Sequence, residues 1–191
     1  PQVAVDARGR IYVAFGVGNA IRCARSDDGG RTFAVATVGE AGTLALGMRR
    51  GPRIAVAGES VVVTAIVGRE GKGRDGDLFA WRSTDAGSSW RGPVRVNSVE
   101  GSAREGLHGM TAGPDGSAFC VWLDLREKGA QVYGARSRDG GATWEPDRLI
   151  YQAPGGTVCQ CCHPSAAVGP NGELAVMWRN VIDGSRDMHL A

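Results

Sequence analysis

Aromatic residues are scarce in this chain: 6% of 191 residues, with three tyrosines and four phenylalanines. Beside 30 glycines, that scarcity suits many short strands joined by tight turns. No apolar run approaches the ~20 residues that a membrane-spanning helix needs, so no membrane span is expected. Charge of one sign is not in excess, with 22 basic against 20 acidic residues and a net charge of +2. That balance argues neither for nucleic acid nor for an anionic membrane surface, and no nucleic-acid partner is expected. No segment shows helical periodicity. No leader precedes Pro1, and the chain opens directly in a strand pattern, which reads as a mature piece or a fragment. Zinc-finger spacing is missing from the five cysteines, although three of them fall within four positions. Such crowding points to an oxidising compartment or to a metal.

What the chain does have is a repeat. Ser26-Asp27-Asp28-Gly29-Gly30-Arg31-Thr32-Phe33, Ser83-Thr84-Asp85-Ala86-Gly87-Ser88-Ser89-Trp90 and Ser137-Arg138-Asp139-Gly140-Gly141-Ala142-Thr143-Trp144 share the frame Ser-x-Asp-x-Gly-x-x-aromatic. Their serines are 57 and 54 positions apart, the period of a supersecondary unit that stacks on copies of itself. Each copy follows a strand-like run: Ala20 to Arg25, Leu78 to Arg82, Gln131 to Arg136. The Asp carboxylate can accept backbone N–H groups and hold a tight hairpin, and the Gly supplies positive φ. Further alternating runs, punctuated by Ala7-Arg8-Gly9, Gly58-Glu59, Gly113-Pro114-Asp115-Gly116 and Gly169-Pro170-Asn171-Gly172, give four-strand units over approximately 1–39, 53–96 and 109–150. An incomplete one covers 164–191. Turn signals every 8–12 residues predict an all-β fold.

These three segments resemble the Asp-boxes, or bacterial neuraminidase repeats, of the sialidase-like β-propellers. The Cys-x-Cys-Cys run resembles an uncharacterised branch of that family more than its sialidases. The resemblance implies radial four-stranded antiparallel blades, six in a complete ring, of which about three and a half are present here. It gives Asp28, Asp85 and Asp139 a structural role in turns. It implies a periplasmic or secreted protein and a carbohydrate or other small anionic ligand, and it requires no cofactor. In sialidases three arginines grip the substrate carboxylate, a Tyr activated by a Glu is the nucleophile, and an Asp is the acid/base, unlike the two-carboxylate scheme of most glycosidases.

Alternating strand directions put the turns after strands one and three, with the repeated Asp turns, on one end of the propeller. The loops after strand two and those leading into the next blade lie on the other, where function is expected. That end offers Arg53, Arg126 and Arg179 as carboxylate grips, since a planar guanidinium binds carboxylate bidentately, and Glu105 and Asp124 as acid/base groups. The competing role for each arginine is a rim charge or a loop-fixing ion pair. The family's Phe/Tyr-Arg-Ile/Leu-Pro segment is absent: in Gly51-Pro52-Arg53-Ile54 the Pro precedes the Arg. Tyr12, Tyr133 and Tyr151 lie in or beside strand runs, away from a nucleophile's place. The lead-in loops are closest to the axis, so Arg53, Glu105, His108 and the segment Cys159 to His163 are expected around one shared cavity.

Cys159-Gln160-Cys161-Cys162-His163 offers three sulfurs and an imidazole, a donor set for copper or zinc. A disulfide of Cys159 with Cys161 or Cys162 is the alternative. Cys23 and Cys120, in strands of different blades, read as buried thiols. Trp122 and Trp178, at matching ends of strand two, read as packing between blades. Two function classes follow: an exo-glycosidase of sialidase type acting on acidic sugars, or a propeller without glycosidase activity that binds a metal or a partner through its Cys/Arg-rich loops.

Overall fold

The computed structural model describes residues 1–71, 73–113 and 115–191, so Pro114 of the third expected turn and Lys72 of the loop from Arg69 to Asp77 lie outside the described residues. Sixteen strands and no helix are found among the described residues. Sheet I is β1 (Gln2–Val5), β2 (Ile11–Val17), β3 (Ala20–Ser26) and β4 (Ala34–Glu40), paired antiparallel in sequence order. Sheet II holds β5 (Thr43–Leu44), β6 (Arg53–Ala57), β7 (Ser60–Gly68), β8 (Asp77–Ser83) and β9 (Arg91–Arg95). Sheet III is β10 (His108–Ala112), β11 (Ala118–Asp124), β12 (Gln131–Ser137) and β13 (Arg148–Tyr151). Sheet IV has three strands, β14 (Ser165–Val168), β15 (Leu174–Ile182) and β16 (Ser185–Leu190).

The first full strands of the sheets, β1, β6, β10 and β14, pack successively against one another. This is the radial order of a propeller, and the chain forms an arc of it. Three apolar clusters fill the gaps between neighbouring sheets. Tyr12, Ala14, Val63 and Trp81 lie between I and II, Val62, Leu78, Cys120 and Trp122 between II and III, and Val121, Leu123, Val132 and Trp178 between III and IV. Each fully buried aliphatic side chain contributes about 1.5–3 kcal/mol. Position in the arc explains the sequence patterns. β7 is covered on both faces, so Val61-Val62-Val63-Thr64-Ala65-Ile66-Val67 is buried throughout. β2 is covered on one face only and alternates, with Tyr12 and Ala14 inside. At the two ends of the arc the uncovered faces keep apolar side chains in solvent: Val3, Val5, Val17 and Val35 on sheet I, Met177, Val181, Met188 and Leu190 on sheet IV.

Two expectations need correction. Arg179 is not in a loop after strand two: β15 runs on to Ile182 and reverses through Asp183-Gly184, both with positive φ (50° and 82°). Asp-Gly is the residue pair that a two-residue hairpin of this kind demands. The inner strand of sheet II also begins earlier than expected. Thr43 and Leu44 pair with Gly68 and Val67, the chain leaves the sheet over residues 46–52, and pairing resumes with Arg53 opposite Thr64. Sheets III and IV repeat the device: the Leu125 N–H donates to the Ser102 carbonyl before His108 pairs with Trp122, and the Cys159 N–H donates to the Arg179 carbonyl before Ser165 pairs with Met177. The lead-in loops are therefore excursions from interrupted strands, anchored at both ends.

Candidate functional site

The three Ser-x-Asp-x-Gly turns join strands three and four and are alike atom for atom. In the last, the Ser137 hydroxyl donates to Asp139 Oδ1 (2.8 Å) and accepts the Gly141 N–H (2.8 Å), while Asp139 also accepts the Thr143 N–H (2.9 Å) and hydroxyl (2.6 Å). Asp85 is held by Ser83 and Ser89 and Asp28 by Ser26 and Thr32 in the same way. The hydroxyl before the aromatic is thus part of the motif, although the frame read from sequence left that position open. The Thr32 N–H and hydroxyl hold the Asp28 carboxyl down at about 2. The Asp carboxylate of each turn is spent on the turn itself, while the Ala86 carbonyl and the Ser88 hydroxyl of the second turn accept Arg25 of sheet I.

The opposite end holds the lead-in loops. Arg53 is 9% exposed. Its Nε donates to the His108 carbonyl (3.0 Å), Nη1 to the Gly51 and Pro52 carbonyls (3.1 and 3.3 Å), and Nη2 to the Arg49 carbonyl (2.8 Å). Burial lowers its pKa, and no carboxylate partners it among the described residues. Arg49, in the left-handed region (φ 65°), extends across the axis from sheet II to the loop of sheet IV. There its Nη1 donates to the Cys161 carbonyl (2.7 Å) and contacts Cys162 Sγ (3.1 Å). A strained non-glycine residue of this kind persists where surrounding contacts over-determine it. Arg50 pairs with Glu105 (3.0 Å) and donates to its carbonyl.

Arg49, Arg50, Arg53 and His163, with Gln2 and Pro1, line a cleft of about 370 Å³. Burial, then the charges of Arg53 and Arg49, lower the pKa of His163, and its Nδ1 is buried without a partner. Glu105 lies instead on an adjoining cleft of about 620 Å³, with Arg50, Arg104 and Asp75. Burial raises the Glu105 pKa against the pull of Arg50. The single shared cavity expected from topology is therefore two, because the Arg50–Glu105 pair stands as a partition between them. His108 borders neither. It is fully buried beneath the loops, with Nε2 3.1 Å from the Thr64 hydroxyl.

Asp124 and Arg126 form a structural knot away from both clefts. Asp124 is 0% exposed and accepts the Ser102 hydroxyl (2.7 Å), the Trp122 indole N–H (2.8 Å) and the Arg126 guanidinium (2.8 Å). Arg126 also bonds Asp147 (2.7 Å) and lies 3.8 Å over the Tyr133 ring. Burial would raise the Asp124 pKa, but Arg126, Ser102 and Trp122 outweigh it and lower the pKa instead, so the group is fixed as an ion. Arg179 approaches Cys162 Sγ at 3.8 Å. Trp122 and Trp178 are buried between blades.

The cysteine segment is a surface turn. Cys159 and Cys161 sulfurs are 2.9 Å apart and Cys161 and Cys162 3.7 Å apart, and all three lie within 4.8 Å of one another. No nitrogen of His163 joins that group. Burial pushes the Cys162 thiol up, but Arg179, its sister thiols and Arg49 outweigh it and bring it below the usual range. Cys23 and Cys120 are buried, and burial pushes the Cys23 thiol up to about 11.

No protein-family profile and no curated protein sequence matches the chain. Solved structures do match its fold. A sialidase of Streptococcus pneumoniae superposes with a TM-score of 0.63 at 14% identity, covering 97% of this chain and 28% of its own. A Hadza microbial sialidase gives 0.62 at 16% identity, over 100% of this chain and 43% of its own. The α-L-arabinanase of Penicillium chrysogenum gives 0.60 at 15% identity, over 99% and 60%. The chain is therefore an all-β arc of antiparallel propeller blades, similar in fold to propeller glycoside hydrolases, and it spans less than two thirds of each of these proteins. No helix is long and apolar enough to cross a membrane.

Proposed function

We propose that this arc is the part of a sialidase-like, extracytoplasmic propeller that binds an acidic sugar, with the carboxylate held in the cleft of Arg49, Arg50, Arg53 and His163. One observation carries the reading: Arg49 and Arg53 converge on the cleft with no carboxylate of the described chain to balance either. Arg53 is shielded from water and left without a counter-ion, which favours an anion beside it, and Arg49 stands exposed at the same cleft. Arg53, anchored to four carbonyls, sets the field, and Arg49, whose Nη1 holds the Cys161 carbonyl, offers its Nε and Nη2 edge to the carboxylate. The apolar end faces of the arc fit further blades completing the ring.

Hydrolysis of the acidic sugar is the finer proposal. Glu105, at the adjoining cleft, where burial raises its pKa against the pull of Arg50, is the acid/base group within this arc. Asp124, Arg126 and Arg179 have no part in it, the first two being committed to each other. The nucleophile has to come from outside the arc: Tyr12 is sealed between blades, Tyr133 lies under Arg126, and Tyr151 packs tilted against Trp178 at 4.6 Å, with its hydroxyl taken by Asn180. The same observation favours a second reading, a propeller that binds the acidic sugar without cleaving it.

Calorimetry with N-acetylneuraminic acid and with a neutral hexose tests the binding claim. The acidic sugar should bind and the neutral one should not, and Arg49→Ala should weaken binding by about tenfold or more. Equal binding of both sugars, or an indifferent Arg49→Ala, refutes it. Release of a chromophore from an aryl sialoside by the protein with its ring completed, so that the nucleophile from outside the arc is present, separates the hydrolase from the binder.

A further inference from the structure

The acidic-sugar reading makes no use of Cys159, Cys161 and Cys162. The Cys159 N–H bond to the Arg179 carbonyl fixes the segment to the edge of β15. The turn that follows folds all three sulfurs onto one side, mutually within 4.8 Å, and none is in a disulfide. Two cationic side chains reach the same spot from different elements, Arg49 from the lead-in loop of sheet II at 3.1 Å and Arg179 from β15 at 3.8 Å, both on Cys162 Sγ. Neither has a carboxylate partner among the described residues.

We propose that Cys159, Cys161 and Cys162 form a three-thiolate site for a soft closed-shell cation, Cu(I) in preference to Zn(II). Coordination number decides between the two. Thiolates suit both metals, but structural Zn(II) takes four ligands and the neighbouring imidazole of His163 is outside the sulfur group, so three sulfurs leave zinc one ligand short while satisfying three-coordinate Cu(I). Three sulfurs about 2.3 Å from one cation in a plane stand about 4 Å apart. The Cys161–Cys162 separation of 3.7 Å is close to that, and Cys159, on an exposed turn, has to open from 2.9 Å. Charge balances as well. Three thiols lose three protons to solvent, three S–Cu bonds form, and the product carries two negative charges, which Arg49 and Arg179 offset. No electron moves, since copper arrives as Cu(I). A disulfide between Cys159 and Cys161 would use two sulfurs, need an external oxidant and leave Cys162 alone with both arginines.

The test is titration of the reduced protein with Cu(I), without oxygen, against a chromophoric Cu(I) chelator. The expected result is one equivalent of copper per chain, a near-ultraviolet thiolate-to-copper band, protection of the three loop thiols from alkylation, and no displacement by equimolar Zn(II). Cys161→Ser should lower the affinity by more than about tenfold, and Gln160→Ala should leave it unchanged, with thermal melting showing that both variants fold. The site is overturned by copper lost to the chelator, by Cys161→Ser holding copper as well as the parent does, or by protein that emerges from cells with Cys159 and Cys161 oxidised and only Cys162 open to alkylation. Tighter Zn(II) binding at the same three sulfurs overturns the preference for Cu(I).

Discussion

Asp139→Ala removes the acceptor at the centre of the third Ser-x-Asp-x-Gly turn, and its cost can be worked from the contacts. Three donors lose their partner: the Ser137 hydroxyl, the Thr143 N–H and the Thr143 hydroxyl. Thr143 is exposed, so its two donors turn to water at little cost. Ser137 is 0% exposed, and its oxygen is already occupied by the Gly141 N–H. Its proton therefore stays buried without an acceptor, which costs about 1–3 kcal/mol. For a chain of this size about 2 kcal/mol lowers the melting temperature by ~4–8 °C. Asp139→Asn isolates the charge. Burial raises the Asp139 pKa, but the Thr143 hydroxyl and N–H and the Ser137 hydroxyl outweigh it and hold it at about 2, against an ordinary 3.8. A carboxyl depressed in the folded state contributes stability above its unfolded pKa and loses it as pH falls through the folded one. The stability gap between parent and Asp139→Asn should therefore be full above about pH 4 and close towards about pH 2. Solvent screening at this exposed carboxylate limits that share to about 1 kcal/mol. Urea melts of both proteins at a series of pH values give the gap directly. Equal stability of parent and Asp139→Ala at neutral pH, or a gap that stays constant across the acid range, would refute the reasoning.

Arg126→Met should destabilise by about 3–5 kcal/mol in urea, because it strands the carboxylates of Asp124 and Asp147, 0% and 2% exposed, without their cation; a loss under about 1 kcal/mol would show that the knot is dispensable. Gly109→Ala puts a Cβ 2.5 Å from the Pro164 carbonyl oxygen, where the inner strands of sheets III and IV meet. It should cost about 1–3 kcal/mol through forced backbone movement, and an unchanged melting temperature would mean that the blades are free to separate there.

How much of this could be read from sequence follows from how far apart the interacting residues are. In the three repeated turns every partner of Asp28, Asp85 and Asp139 lies within four positions of it. The hairpin and its place between strands three and four are accordingly written locally, and the 57- and 54-residue spacing carries the blade order. Asp183-Gly184 is an equally local hairpin signal. The strand runs were legible too, since burial on one face or two leaves alternating or continuous apolar patterns.

The candidate site was legible only as a list of residues on one end of the arc. Arg53 looked available and is tied down by the carbonyl of His108, 55 positions away. Arg126 looked like a grip for substrate and is clamped by Asp147, 21 positions on. Arg49, not singled out for binding, crosses 112 positions to reach Cys161. A side chain's composition fixes which bonds it can make, and local turns close because the chain can hardly avoid them. Which distant partner takes a guanidinium's donors depends on how the blades bring their loops together at the axis, and that packing is a property of the assembled arc.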